Sequence, residues 1–231
     1  MDRNKFGECK ALLFDFGGTI DADGEHWLDR FFALYEDAGL DFQREEIKRA
    51  FYHADGLCHA DPGVPSIGFR PLVHRHVSYQ FGALNVHDPS GQERVADRFC
   101  DRAELFFVHR AGLLEHLRTR FRIGVVSNFF GNLKGILEGA GIARSVDVII
   151  DSGCVGLSKP DPRIFELAVE RLRLHAGSAA FIGDSYERDM MPSAQLGLKT
   201  IWLKGPNPRM PEHAPPVDAV IARLSELEAL V

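Results

Sequence analysis

Short, almost wholly apolar runs recur along the chain and predict strands that are covered on both faces of a sheet. They are residues 11–14, 123–126, 146–150, 179–182, 200–203 and 219–221. Helix-like patterns separate most of them, near 110–120, 130–139, 162–173, 187–196 and 223–230. Because strands that alternate with helices form right-handed crossovers, the pattern predicts an α/β fold with an open, mainly parallel, Rossmann-like sheet.

The segment between the first and second strands has a different pattern. It carries helical periodicity near 25–39, 43–57, 68–82 and 91–107, broken by turn-rich stretches at 61–65 and 87–91. We interpret residues 21–108 as a helical cap domain inserted after the first strand, with residues 1–20 and 109–231 forming the α/β core domain. Residues 206–216 contain five prolines and predict a surface loop before the last strand.

Charge and cysteine content narrow the class of partner. The 231 residues include 27 Lys and Arg against 33 Asp and Glu, a net charge of -6, without a polybasic block. This balance favours a small-molecule partner over nucleic acid or a membrane surface. Residues 1–10 are polar, no run approaches the roughly 18 apolar residues of a membrane span, and the four cysteines form no C-x-x-C pair. We therefore expect a cytoplasmic protein; its oligomeric state stays open.

Polar residues follow two of the predicted strands directly. Asp15 ends the run 11–14 and precedes the pair Gly17-Gly18, while Ser127-Asn128 ends the run 123–126. Ligands of open parallel sheets bind outside the carboxyl ends of the strands, so these positions suit a reactive group. Each has a structural alternative, because Asp, Ser and Asn also cap loops and helices at such places.

Two further motifs lie where the same edge of the sheet is expected. Lys159 stands in Lys-Pro-Asp-Pro, a sequence that restrains the entry to the next helix. Asp184 follows the run 179–182, and Asp189 lies about one turn into the following segment, so both acids can reach one hard cation. Solvation of the lysine and helix capping by the acids are the competing explanations. Taken together, the motifs favour a shared site over separate caps.

As a set and in this order, the motifs resemble those of the haloacid dehalogenase superfamily, which consists mostly of phosphatases with an aspartate nucleophile. The matching stretches are D-F-G-G-T at 15–19, S-N at 127–128, K-P-D-P at 159–162 and G-D-S-x-x-x-D at 183–189. The inserted helices match the position of the family's cap. The resemblance implies a Mg²⁺-dependent phosphatase that acts on a small phosphorylated metabolite, and a sugar phosphate is one candidate.

The resemblance also implies residue roles. Asp15 is the expected nucleophile, forming an aspartyl-phosphate, and Ser127 and Lys159 are expected to assist it. The implied Mg²⁺ ligands are Asp15, the backbone carbonyl of Gly17, Asp184 and Asp189. The implied phosphate-binding residues are Gly18, Thr19, Ser127, Asn128 and Lys159.

One position departs from the family pattern and leaves alternatives open. Most family phosphatases carry a second aspartate where this chain has Gly17, and general acid–base help is typically worth about 10²–10⁴ in rate. Candidate replacements are a cap histidine or an acid near the entry to the cap (His53, His59, His74, His76, Asp21 and Asp23). The alternative functions are a phosphonatase, for which Lys48 is the only cap lysine, a dehalogenase, which the acids at 184 and 189 disfavour, and a catalytically impaired binding module.

Overall fold

A computed structural model of the chain describes residues 5–231; the first four residues of the predicted core domain lie outside the described residues. Six parallel strands form one sheet in the order β3-β2-β1-β4-β5-β6. Their bounds are β1 Ala11–Phe14, β2 Arg122–Ser127, β3 Val148–Asp151, β4 Ala179–Gly183, β5 Lys199–Leu203 and β6 Ala219–Ile221. The predicted parallel α/β sheet is confirmed: β1 and β6 have the predicted bounds, and the other four strands differ from them by at most two residues.

The apolar composition of the strands follows from burial on both faces of the sheet. In β1, Leu12 and Phe14 pack into one hydrophobic cluster, whereas Ala11 and Leu13 pack into a second cluster on the opposite face. Side chains alternate between faces along a strand, so a strand without polar residues requires a layer on each side. The inserted helices contribute to the first of these clusters.

Four helices form the inserted region, and five shorter ones accompany the sheet in the described part of the chain. The inserted helices are α1 Trp27–Asp37, α2 Arg44–Ala60, α3 Phe69–Ala83 and α4 Pro89–Leu117. The others are α5 Leu133–Gly139, α6 Ser152–Val155, α7 Arg163–Arg171, α8 Met191–Gln195 and α9 Leu227–Leu230. No helix among residues 5–231 combines the length and apolarity needed to cross a bilayer.

The prediction of separate helices at 91–107 and 110–120 is wrong, because α4 is one continuous helix of 29 residues. Its buried residues Ala103, Phe107, Arg110, Leu114 and Leu117 recur every three or four positions across the expected break. That stripe is the signature of one helix with a single buried face. The boundary proposed at 108/109 therefore falls inside α4, and the division into cap and core stays a prediction.

Two other predicted helices are shorter than expected. The pattern at 187–196 becomes a wide turn over Tyr186–Met190 followed by α8, and the pattern at 223–230 becomes a turn of 3-10 helix over Leu224–Glu226 followed by α9. Pro192 lies in the first turn of α8, where its missing N–H costs no helical hydrogen bond.

Candidate active site

The candidate site lies at the carboxyl ends of three adjacent strands. Asp15 follows β1, Ser127 is the last residue of β2, and Asp184 follows β4. Strands β2 and β4 flank β1, and Phe14 pairs with Val125 on one side and Ile182 on the other. The register therefore brings residues more than a hundred positions apart to the same edge.

The carboxylate of Asp15 is held through one of its oxygens. Ser127 Oγ donates to Asp15 Oδ1 at 2.8 Å, and Lys159 Nζ lies 2.7 Å from the same atom. Asp15 is only 7% exposed. Both contacts use Oδ1, so the lone pairs of Oδ2 stay available for an electrophile or a cation.

Lys159 is buried among acids, and the side chain of Asn128 holds its backbone. Its Nζ also contacts Asp189 Oδ1 at 2.6 Å. The side chain of Asn128 accepts from Lys159 N at 2.7 Å and donates to Lys159 O at 2.9 Å. Burial lowers the pKa of Lys159, but the charges of Asp15 and Asp189 outweigh burial and raise that pKa above its ordinary value. Lys159 is therefore a fixed cation, and the side chain of Asn128 positions it.

The carboxylates of Asp15, Asp184 and Asp189 converge, each offering an oxygen within 4.8 Å of the others. Burial and repulsion from Asp15 and Asp189 raise the pKa of Asp184 well above its ordinary value, and burial raises the pKa of Asp189 to about 6. The side chain of Asp184 has one hydrogen bond in the described residues, a long one of 3.5 Å from the Thr19 hydroxyl. Such crowded hard oxygen donors fit Mg²⁺, whose charge would relieve their repulsion.

The chain turns sharply after Asp15, over Phe16–Ile20. Gly18 has φ 81°, and a Cβ there would lie 2.6 Å from Asp184 Oδ2, so glycine is required both for conformation and for space. The Gly18 N–H donates to Asp21 Oδ1 at 2.6 Å. Gly17 lines a cavity of about 480 Å³ beside the three acids, whereas Gly18 and the buried Thr19 do not line it. Phosphate binding by Gly18 and Thr19 therefore stays a prediction.

Asp21 ties this turn to α1, the first of the inserted helices. Besides Gly18 N, its carboxylate accepts from Trp27 Nε1 at 2.6 Å and pairs with Arg30 Nη1 at 2.7 Å. Asp21 is fully buried and Arg30 is 1% exposed. Asp23 likewise binds the Arg110 side chain and accepts from Leu224 N. The structure therefore removes both acids from the candidates to replace the aspartate missing at position 17.

The cavity of about 480 Å³ is lined by the acids on one side and by residues of the inserted helices α1 and α2 on the other. Of the predicted site residues it is lined by Asp15, Gly17, Ser127, Asn128, Lys159, Asp184 and Asp189. Residues that sequence reasoning missed, among them His26, Tyr52, Asp55 and Arg188, complete its walls. Arg188 stands beside Asp189 in the fourth motif, a position that could have drawn notice; the others carry no sequence signal that separates them from ordinary helix residues.

Among the cap histidines proposed from sequence, His59 alone lines the cavity, where its ring packs 4.6 Å from that of Phe130. His74 contacts Asp97, and the buried His76 contacts Asp55 and Gln80. His53 lies at the edge of a separate surface groove. Lys48 is also outside the cavity and lies 3.6 Å from Glu45. A Schiff-base role for Lys48 therefore has no structural support.

Comparisons with known proteins agree with this arrangement. The family model described as haloacid dehalogenase-like hydrolase matches residues 9–197. A haloacid dehalogenase-like hydrolase domain-containing protein 3 from Danio rerio is 32% identical over 155 residues, 64% of each chain. A phosphoserine phosphatase from Thermus thermophilus is 27% identical over 218 residues, 89% of this chain and 86% of that one.

A solved dehalogenase structure, described as an intermediate complex, covers 97% of both chains with a TM-score of 0.65 at 20% identity, a likeness that concerns the fold. The chain spans 64% of the Danio rerio relative's length. The family model, by contrast, matches far more than half of the chain and includes all four motifs. The chain therefore belongs to the haloacid dehalogenase-like hydrolase family.

Proposed function

We propose that the chain is a Mg²⁺-dependent phosphatase that hydrolyses a small phosphorylated metabolite through an aspartyl-phosphate on Asp15. The observation that carries the proposal is the state of the Asp15 carboxylate. Its Oδ1 is held by Ser127 and Lys159, while Oδ2 makes no contact of this kind in the described residues, and Asp15 lines one cavity together with the half-buried Asp184 and the buried Asp189. Phosphoryl transfer needs this kind of positioned, charge-balanced nucleophile.

In the proposed reaction, Asp15 Oδ2 attacks phosphorus, the bond from phosphorus to the alkoxy oxygen breaks, and the leaving oxygen takes a proton. Water then hydrolyses the aspartyl-phosphate, which releases inorganic phosphate and restores Asp15. Lys159 and Ser127 would stabilise the non-transferred oxygens as well as orient Asp15. Asp15, Asp184, Asp189 and the Gly17 carbonyl would hold Mg²⁺, which when bound neutralises charge between carboxylate and phosphate.

Gly17 offers no side chain to move the proton. Water or His59, which lines the cavity, would then serve the leaving oxygen. A His59→Gln variant separates these two sources, because loss of one limb of the pH–rate profile would assign the proton transfer to the imidazole.

Phosphate release from a panel of phosphomonoesters, with Mg²⁺ and with chelator, tests the proposal. Asp15→Asn is expected to abolish release, and Asp41→Asn, a substitution at an exposed residue, is the matched control that should leave it unchanged. Release that ignores chelator, or that survives Asp15→Asn, would contradict the proposed function.

The dehalogenase and phosphonatase alternatives have weaker support. The acids at 184 and 189 have no role in carbon–halogen cleavage by a lone carboxylate, and Lys48 does not line the cavity. A similar fold at 20% identity does not select the reaction.

A further inference from the structure

Arg188 lies at the junction of two cavities. It lines the catalytic cavity of about 480 Å³ and also a smaller adjoining one of about 110 Å³. His26, Tyr52, Asp184 and Ser185 line both cavities as well, so the two spaces meet along one wall. Asp15 lines the larger cavity too, so a substrate whose phosphoryl group sits at Asp15 has room to reach this wall.

The guanidinium of Arg188 has no partner in residues 5–231. No carboxylate lies within 4.0 Å of it, and its side chain makes no hydrogen bond there, although its backbone N–H donates to Ser185 Oγ. The other cations nearby are already bound: Lys159 to Asp15 and Asp189, and Arg209 to Asp29 at 2.9 Å. Arg188 therefore supplies the positive charge of this wall that is free to meet a ligand.

Neighbouring groups add hydrogen-bond donors to the same wall. His26 Nδ1 accepts from Leu28 N at 3.1 Å, so the ring proton of the neutral imidazole is on Nε2. Burial and then the charge of Arg188 lower the pKa of His26 to about 4, which keeps the ring neutral, and both residues line the two cavities. The 40%-exposed Tyr52 brings a hydroxyl without a hydrogen bond in the described residues.

The carboxylates near Arg188 do not cancel its charge. Asp29 is bound to Arg209, and Asp55 contacts His76 Nε2 at 3.0 Å. Glu187 lines the smaller cavity from an exposed position, where solvent screens its charge. The acids at 15, 184 and 189 belong to the proposed metal and nucleophile site.

From these observations we infer that Arg188 forms a second anion subsite and that the substrate is a phosphomonoester carrying another anionic group, a carboxylate or a second phosphate. The planar guanidinium pairs with either group through two parallel hydrogen bonds. Phe51 and Tyr52, two aromatic residues of α2, line the same cavity as Asp15 and Arg188 and suit a short carbon skeleton. The inference rests on the proposed phosphatase function only for the location of the phosphoryl group.

Two primary phosphate esters of equal length test the subsite. 3-Phosphoglycerate carries a carboxylate where glycerol 3-phosphate carries a hydroxymethyl group. We expect kcat/KM to favour 3-phosphoglycerate and Arg188→Gln to cut that preference by about tenfold, because an exposed charge-assisted pair lies at the low end of its range. Fructose 1,6-bisphosphate against fructose 6-phosphate provides the corresponding comparison for a second phosphate.

Matched variants separate charge from geometry. Arg188→Lys keeps the charge but loses the fork, so it should retain part of the preference. Arg118→Gln removes an exposed arginine outside both cavities and should change nothing. A ratio that stays the same in Arg188→Gln, or no preference in the wild type for either compound that carries a second anionic group, would overturn the inference.

Calorimetric binding with Mg²⁺ keeps the subsite testable apart from turnover. In an Asp15→Asn background, 3-phosphoglycerate should bind about tenfold tighter than glycerol 3-phosphate, and adding Arg188→Gln should remove the difference. That result without hydrolysis by the wild type would support the subsite while ending the proposed function. If the wild type hydrolyses all the esters and the two compounds bind with equal affinity, the proposed function would be supported and the subsite would be overturned.

Discussion

Removing the charge of Asp21 gives a sharp test of how the inserted helices are joined to the turn that follows Asp15. Asp21→Asn keeps the size of the side chain but presents an amide to three donors that now contact the carboxylate at 2.6, 2.6 and 2.7 Å. Arg30, 1% exposed, would keep its charge without a counter-ion. Breaking a buried ion pair from one side costs about 3–5 kcal/mol, a large share of a typical free energy of unfolding of about 5–15 kcal/mol.

Urea unfolding followed by tryptophan fluorescence measures this loss. With a slope of about 3 kcal/mol per molar urea, the midpoint should fall by a little over 1 M. Asp41→Asn, at an exposed position without a partner in the described residues, should stay within about 0.5 kcal/mol of the wild type. The contrast isolates burial and pairing from the chemistry of the substitution.

A second substitution distinguishes the lost pairing from a general loss of packing. Arg30 stacks on Phe99 with its guanidinium carbon 3.7 Å from the ring centroid, so Arg30→Met preserves much of the apolar contact. The double variant should be more stable than the sum of the two single losses predicts, since no unpaired charge remains buried. An Asp21→Asn variant within about 1 kcal/mol of the wild type, or strictly additive losses, would refute the reasoning.

Three further predictions concern the turn and the cavity wall. Gly18→Ala should abolish activity and lower stability, because at φ 81° its Cβ would lie 2.6 Å from Asp184 Oδ2. Gly17→Ala should fold normally, because the nearest atom to its Cβ would be 3.5 Å away, on Trp27. Circular dichroism and thermal melts compare the two variants. Gly17→Asp should fold too, and phosphate release should rise by about 10² or more if the acid–base role is vacant, while a fall in rate would show that the space is already used. The pKa of His26 is lowered to about 4, so below pH 6.5 the unfolded state binds more protons than the folded state. The free energy of unfolding should therefore fall between pH 6.5 and pH 4, by up to about 3 kcal/mol more in the wild type than in His26→Gln. Equal pH dependence in the two proteins would contradict this.

The sheet was predictable because each strand satisfies a local rule. A run such as 11–14 has no polar residue, and in the structure both of its faces are covered. The residues of the candidate site were predictable for a related reason. Asp15, Ser127 and Asp184 follow the ends of strands, and parallel strands bring their carboxyl ends to one edge.

The walls of the cavity were not predictable, because they depend on contacts between distant elements. Whether Asp21 is a catalytic acid or a buried partner of Arg30 is decided by the packing of α1 against the turn, which no local pattern contains. Tyr52 and Phe51 are adjacent in α2, yet one is 40% and the other 3% exposed. Trp27, Phe51 and Tyr52 all line the cavity, but of the three only Tyr52 is exposed.

Because α4 is one continuous helix, it limits where this chain can gain or lose residues. Arg110, in the second half of this helix, donates to Ala22 O at 3.2 Å and binds Asp23, while the first half buries Phe99 and Cys100. One residue inserted near position 108 would rotate one half against the other by about 100° and shift it by about 1.5 Å. After such a change the chain could not keep both the contacts of Arg110 and the burial of Phe99 and Cys100. Insertions and deletions are therefore expected in the proline-rich loop at 206–216, and α4 is expected to keep a fixed number of residues.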